Sequence, residues 1–391
     1  MDSTITPIRF GIPSSIVHGG GSRRLLPDLA RELGGSRVLL VTDPGIVRLG
    51  IASGISQMLE SSGFKVDLFD QVQPDPTDEN VHAGTAALEA HRADLVVALG
   101  GGSSIDAAKV IAVRRANPGP LPEFMGLHKI KNPGLPLIAI PTTAGTGSEA
   151  TKVSVITDTS RHVKMMMLSE PLLPAAAIVD YELTFDMPKA LTAAVGVDTL
   201  THGIEAYVSS KANPLTDPLA LQCIALCAQH LREAWRRPGD HAARSGMMLA
   251  ATLGGMAFSN SSVCLVHGMS RPLGAVFHLP HGLSNALLLP VVTRFSVYCQ
   301  NERYATIART IGCASPGATD EAACARLIDW LAGLNVALEI PRLSACRGVT
   351  ATAFEANIEK MAADALASGS PANNPRVPTV AEIIGLYREA W

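Results

Sequence analysis

Short apolar runs, each closed by a turn residue and followed by a helical stretch, recur through the first half of the chain. They are 37–42 (RVLLVT), 65–69 (KVDLF), 94–99 (DLVVAL), 137–140 (LIAI) and 175–180 (AAAIVD). Runs this short suit strands buried on both faces. Helical spacing over 46–62 and 79–91 fills intervals between them, with a Pro/Asp turn in QPDPTDEN (73–80). Strands alternating with helices in units of about 30 residues restrict this half to a doubly wound, mostly parallel sheet.

The pattern changes near Pro188. Ala- and Leu-rich helical tracts cover 188–235 and 241–258, loops break in at 211–218, 236–241 and 368–378, and strand-like runs nearly vanish. A chain of 391 residues accommodates two domains. The reading is an α/β domain over 1–185 and an all-α domain over 186–391.

Hydrophobic residues make up 47% and charged residues 17% of the chain, as in a well-packed globular enzyme. Aromatics at 4% argue against a base-stacking nucleic-acid surface, and a net charge of −3 against a polyanion partner. The seven cysteines, an odd number without CxxC pairs, read as reduced and mostly buried thiols. MDSTITPIRFGIP at the start has no basic segment leading into an apolar one, and no apolar stretch reaches about 18 residues. The expectation is a cytoplasmic protein acting on a small molecule, with no membrane partner.

ALGGGSSIDAAKVIA (98–112) follows a strand and runs into a helix. Gly100, Gly101 and Gly102 let backbone approach a ligand, Ser103-Ser104 supply hydroxyls and an N-cap, and the first helical N–H groups face an anion such as pyrophosphate. A tight turn is the plain alternative. PTTAGTGSEAT (141–151) offers Thr142, Thr143, Thr146 and Ser148 either to a nucleotide or to a helix-capping turn. Asp43, ending the first of these strands before Pro44, either accepts from ribose hydroxyls, favouring NAD over NADP, or forms the turn.

The second group of candidates lies in GVDTLTHGIEAY (196–207) and LVHGMSRPLGAVFHLPHG (265–282). Asp198 and His202, four apart on one helix, project from the same face. His267 and His281 each precede a Gly. One carboxylate and three imidazoles form a mixed N/O set suited to Fe²⁺ or Zn²⁺ rather than Mg²⁺ or Ca²⁺.

GGGSSIDAAK, PTTAGTGSEAT, the GVDTLTHGIEAY helix and the HG…PHG pair together resemble the iron-containing (group III) alcohol dehydrogenases, in the same order and over essentially the whole chain. The resemblance implies a dehydroquinate synthase-like architecture with a metal in the cleft between its two domains. Asp198, His202, His267 and His281 would ligate the metal, Gly100 to Ser103 would hold the pyrophosphate, and Asp43 the adenosine ribose. Thr142, Thr143 and Thr146 would hold the rest of the nucleotide, with Lys164 near the cofactor. It also implies NAD, a homodimer or larger assembly, and interconversion of a short alcohol with its aldehyde or ketone.

One position departs from the pattern. Many members carry a His four residues after the third ligand; here it is Arg271. An arginine does not shuttle protons at neutral pH but grips carboxylate, phosphate or sulfonate. Arg271 therefore either holds an anionic substrate, a hydroxy acid or semialdehyde, or pairs with an acid elsewhere. His278 is a second candidate for proton relay, or a packed loop residue. A reductase or transhydrogenase for an anionic substrate is the main rival reading. A sugar-phosphate cyclase or glycerol-1-phosphate-type dehydrogenase fits the spacing less well, and a sensor without catalysis would not keep all four ligands.

Overall fold

The strand-forming runs assemble in a computed structural model that describes residues 7–161 and 163–391. Residues 1–6, part of the stretch read above for a leader, lie outside the described residues. The strands are β1 (Ser15–His18), β2 (Arg37–Val41), β3 (Lys65–Phe69), β4 (Leu95–Gly100), β5 (Gly126–Leu127), β6 (Leu137–Pro141), β7 (Val153–Asp158), β8 (Val163–Leu168) and β9 (Ala176–Val179). Between them run α1 (Leu26–Glu32), α2 (Pro44–Arg48), α3 (Ile51–Ser61), α4 (Asp78–His91) and α5 (Gly102–Arg114). The helix expected over 46–62 is thus two helices, interrupted at Leu49–Gly50.

Six strands form one sheet in the order β1-β9-β6-β4-β2-β3, and every neighbouring pair is parallel. Successive side chains on a strand go to opposite faces, so β2 and β4 divide their apolar residues between two layers. Val38, Leu40, Val97 and Leu99 pack with residues of α1 and α3. Leu39, Val41, Val96 and Ala98 pack with α4 and α5. Full burial of each such side chain contributes about 1.5–3 kcal/mol, which is why near-continuous apolar runs settle as central strands. β4 and β6 run in register to Gly100 opposite Pro141. Their carboxyl ends therefore deliver the glycine loop and the threonine loop side by side.

A second, three-stranded sheet, β5-β8-β7, was not legible as an apolar run. β7 and β8 are antiparallel, with alternating burial along VSVITD and VKMMML. This hairpin covers one face only, and its Met-rich, half-polar strands lack the signature of the central ones.

Beyond Val179 the described residues are helical: α6 (Lys189–Val208), α7 (Asp217–Arg236), α8 (His241–Ser259), α9 (Leu265–Phe277), α10 (His281–Ser296), α11 (Asn301–Thr310), α12 (Asp320–Ala337), α13 (Ala351–Ala367) and α14 (Val380–Ala390). No helix of the described residues is long and apolar enough to cross a membrane. Five of the seven cysteines are buried as free thiols; Cys299 is exposed and Cys313 half-buried.

Pro272 lies inside α9 and Pro290 inside α10. A proline removes the hydrogen bond to the carbonyl four residues back. Asn335 of α12 repairs one gap by donating from Nδ2 to the Ala286 carbonyl at 2.7 Å. Tyr387 of α14 ties down α9 by donating its hydroxyl to the Met269 carbonyl at 2.6 Å.

The threonine loop seats the sheet on these helices. Thr199 of α6 donates its hydroxyl to the carbonyls of Ala144 and Gly145, and Thr252 of α8 donates to Glu149. At the closest point backbone meets backbone. Gly147 has φ +61°, and a Cβ there would fall 2.4 Å from the Ala251 carbonyl oxygen and 2.7 Å from Gly255 Cα. Gly147→Ala therefore combines left-handed strain with an overpacked backbone contact. We expect a loss of about 3 kcal/mol in unfolding free energy, read by denaturant titration; a loss under half that would mean the loop yields easily.

Candidate metal centre and cofactor cleft

Asp198 and His202 lie one turn apart in the middle of α6, and both are buried. His267 occupies the first turn of α9 and His281 opens α10. Around the Asp198 carboxylate, Oδ1 stands 3.5 Å from Nε2 of His267 and 3.9 Å from Nε2 of both His202 and His281. Donor atoms of Asp198, His267 and His281 all lie within 4.8 Å of one another. His202 joins them from beyond that trio, its ring stacked on His267 with centroids 4.7 Å apart and on Phe258 at 4.4 Å.

A tetrahedral site with metal–ligand bonds near 2.1 Å spaces its donors about 3.4 Å apart, so these side chains need only small adjustments to hold iron or zinc. A second observation supports the fit. Asn285, one turn after His281, donates from Nδ2 to Asp198 Oδ1 at 2.6 Å and lies 3.2 and 3.1 Å from Nε2 of His267 and His281. Its own Oδ1 is buried without a partner. Several lone pairs aimed at one electropositive group mark a centre built around positive charge.

Protonation differs among these groups before a metal binds. Burial holds His202 down to about 4, against the pull of Asp198, so its lone pair is available at neutral pH. Burial also works against charge on His267, but the Glu205 and Asp198 carboxylates outweigh it and hold that imidazole up at about 9. Asp198 itself stays ionised: burial opposes its charge, and the surrounding imidazoles more than compensate.

Glu205, absent from the sequence reading, explains the orientation of His267. It lies on α6 seven residues beyond Asp198, buried, and its Oε2 meets His267 Nδ1 at 2.6 Å. The same carboxylate accepts from the backbone N–H of Cys264 at 2.8 Å and of Val266 at 2.6 Å. Holding Nδ1 as a donor turns Nε2 toward Asp198, where a metal would take the place of its proton. The sequence hint was Glu205 three residues after His202 in HGIEAY, on an otherwise small and apolar stretch.

At the other end of the cleft, Gly100 has φ +145°, and a Cβ there would fall 2.5 Å from Ser104 Oγ. The expected N-cap is corrected here. Gly101, not Ser103 or Ser104, caps α5, without a side-chain hydrogen bond and with no acidic residue in the first turn. The first N–H groups of α5 thus have no side-chain acceptor and are free to meet an anion. Ser103 is half-buried in that first turn, and Ser104 donates instead to Asp43 Oδ2 at 3.1 Å. A Cβ on Gly102 would fall 2.7 Å from Thr146 Cγ2, so glycine loop and threonine loop form the two walls of one narrow cradle. Thr142 bonds through its N–H to the Gly100 carbonyl, and Thr143 is half-buried facing Gly101.

Buried ionic bonding fixes that cradle. Lys109 of α5 donates from Nζ to Ser148 Oγ, Thr151 Oγ1 and the Val153 carbonyl at 2.9, 2.9 and 2.7 Å. Asp106 accepts from Ser148 Oγ at 2.6 Å and from the Val155 N–H at 2.9 Å. Burial pulls the Lys109 ammonium down to about 8, with Asp106 and Glu149 resisting.

Asp43 forms the turn weighed for it and also borders the glycine loop. Oδ1 caps α2 by accepting from the N–H groups of Gly45 and Ile46, while Oδ2 faces the glycine loop beside Gly100. Lys164 lies on β8, paired with Asp75 at 2.7 Å, and its Nζ approaches α9 at Gly274. His278 is the exposed, left-handed residue that ends α9, and nothing in its surroundings assigns it a proton-transfer role. Arg271, one turn after His267, has no acid within 4.0 Å among the described residues, which removes the expectation of an ion pair elsewhere.

Residues 13–181 match the family described as "Iron-containing alcohol dehydrogenase" and residues 192–391 the one described as "Fe-containing alcohol dehydrogenase family, C-terminal". The chain belongs to the iron-containing alcohol dehydrogenase family. Within it, the chain is 37% identical over 381 residues to the NAD-dependent methanol dehydrogenase of Bacillus methanolicus, covering 97% of this chain and 99% of that one. To the 1,3-propanediol dehydrogenase of Klebsiella pneumoniae it is 37% identical over 382 residues, covering 97% and 98%. A solved 1,3-propanediol oxidoreductase superposes with a TM-score of 0.95 at 36% identity, covering 99% of this chain and 100% of that one. The parallel sheet followed by a helical half is thus the fold of an iron-containing alcohol dehydrogenase.

Because Glu205 sets the tautomer of His267, Glu205→Gln should weaken metal binding about 10- to 100-fold. Competition with a calibrated chelator measures this directly; an unchanged affinity would assign Glu205 to packing alone.

Proposed function

We propose that this member of the family is a metal-dependent oxidoreductase that interconverts a short alcohol and its aldehyde or ketone using NAD(H). The observation that carries the reading is the convergence of three imidazoles on the buried Asp198 carboxylate. Asp198, His202, His267 and His281 hold the metal, and the glycine and threonine loops hold the dinucleotide. When bound, Fe²⁺ or Zn²⁺ polarises the substrate oxygen as a Lewis acid, and NAD supplies the hydride acceptor.

The chain's own contribution is placement and charge. A metal bound here would displace the proton held by His267, and three neutral imidazoles with one carboxylate would then leave a divalent ion net positive, which strengthens its action on oxygen. His281, with 41% of its side chain exposed, marks the side from which substrate reaches the site, while His202 and His267 are buried behind it. The uncapped first turn of α5 binds pyrophosphate through backbone N–H groups, with Gly100 to Ser103 forming the turn around it. Asp43, beside that turn, accepts from ribose hydroxyls and repels a 2′-phosphate. Thr142, Thr143 and Thr146 line the opposite wall, and Lys164 stands on the hairpin beyond them. The α/β half over 1–185 and the helical half over 186–391 act as two domains with the reacting atoms between them. Family membership supports a homodimer or larger assembly, and the buried free thiols suit a reducing, cytoplasmic setting.

Two results test this reading. Removing metal from the purified protein should abolish NADH oxidation with short aldehydes, and Fe²⁺ or Zn²⁺ should restore it; full activity in metal-free protein would sink the metal-dependent mechanism. Asp43→Gly should raise the NADPH-to-NADH ratio of kcat/KM by about 10- to 100-fold through loss of charge repulsion. An unmoved ratio would reduce Asp43 to its capping role.

A further inference from the structure

Arg271 stands on α9 four residues after His267, so its side chain leaves the helix on the face that carries the metal ligand. It is half-buried. A guanidinium has five N–H donors, yet the polar contact it makes is to Met166 Sδ at 3.7 Å, a weak acceptor. No carboxylate lies within 4.0 Å of it among the described residues. Glu205, the acid whose field it feels, is already committed to His267, Cys264 and Val266. Across from Arg271, Lys164 and Met166 alternate on β8, so both turn the same face toward α9.

A cation in this position is costly. Partial burial removes water from the guanidinium, and the weak acceptor Met166 does not return what was lost. The missing component is an anion supplied from outside the chain. We propose that Arg271 is a specificity-determining residue that grips the acid group of an anionic substrate, a short aldehyde bearing a carboxylate, sulfonate or phosphonate, or the matching hydroxy acid. Its planar fork suits two oxygens of such a group. The chemistry is the one proposed above, on which this inference rests: hydride passes from NADH to the carbonyl carbon, a proton goes to the oxygen, and NAD⁺ and the alcohol leave. The acid group takes no part in bond changes and serves as the handle that aims the carbonyl.

The test compares metal-loaded wild type with Arg271→Ala and Arg271→Lys, using succinic semialdehyde and sulfoacetaldehyde against butanal and propanal. Wild type should favour the anionic aldehydes. The anionic-to-neutral ratio of kcat/KM should fall about 100-fold in Arg271→Ala and be partly regained in Arg271→Lys. The carboxylate and sulfonate arms separate the two kinds of handle. A second readout needs no turnover: succinate, which cannot react, should raise the melting temperature of the NAD-bound wild type and not that of Arg271→Ala. A wild-type preference for neutral aldehydes, or a ratio unmoved by Arg271→Ala, would overturn the inference while leaving the oxidoreductase intact. Failure of metal-loaded wild type on all four aldehydes would count against the oxidoreductase reading, and the succinate shift would then decide the anion site on its own.

Discussion

Two carboxylates buried on one helix, with no lysine or arginine among the described residues paired to either, set the terms for the helical half. Asp198 and Glu205 are 1% and 2% exposed. A buried charge must be answered nearby, and here the answer comes from histidines, an asparagine amide, backbone N–H groups and, when bound, a divalent cation. The answering groups arrive on three elements. His202 rides on α6 itself, His267 and the amides of Cys264 and Val266 come with α9, and His281 and Asn285 come with α10. Packing of α6, α9 and α10 is therefore an electrostatic requirement as well as an apolar one.

The cofactor end solves an opposite problem. Helix α5 leaves its first turn without a capping side chain or an acid, which suits the negative charge of the phosphate proposed to bind there. The cost of such an open end is looseness, and the Lys109–Asp106–Ser148 bonding limits it by fastening α5 to the threonine loop. That loop continues onto α6 and α8 through Thr199 and Glu149. A single connected set of hydrogen bonds thus runs from the phosphate-binding turn to the helix that carries Asp198.

Much of this was legible in the sequence, for identifiable reasons. Central strands such as DLVVAL announce themselves because both faces are buried, and the Asp198–His202 spacing follows from helical geometry alone. What stayed hidden depended on distant partners or on faces only half covered. β7 and β8 alternate rather than run apolar, so no strand was expected there. Glu205 looked unremarkable because its partners are 59 to 62 residues away. Ser103-Ser104 looked like a cap because Ser often caps, yet the turn placed Gly101 there and turned Ser104 to Asp43. Asn285 gave no signal at all, since an Asn within a helix is commonplace until its amide is seen among the ligands.

The bond from Tyr387 to the Met269 carbonyl spans 118 residues, and it steadies the same helix that bears His267. Synthesis proceeds from the amino end, so the parallel sheet and its phosphate-binding turn are complete long before α14 exists. Helix α9, weakened by Pro272, lacks this buttress throughout that interval. The helix that presents His267 is therefore among the last parts of the fold to be secured.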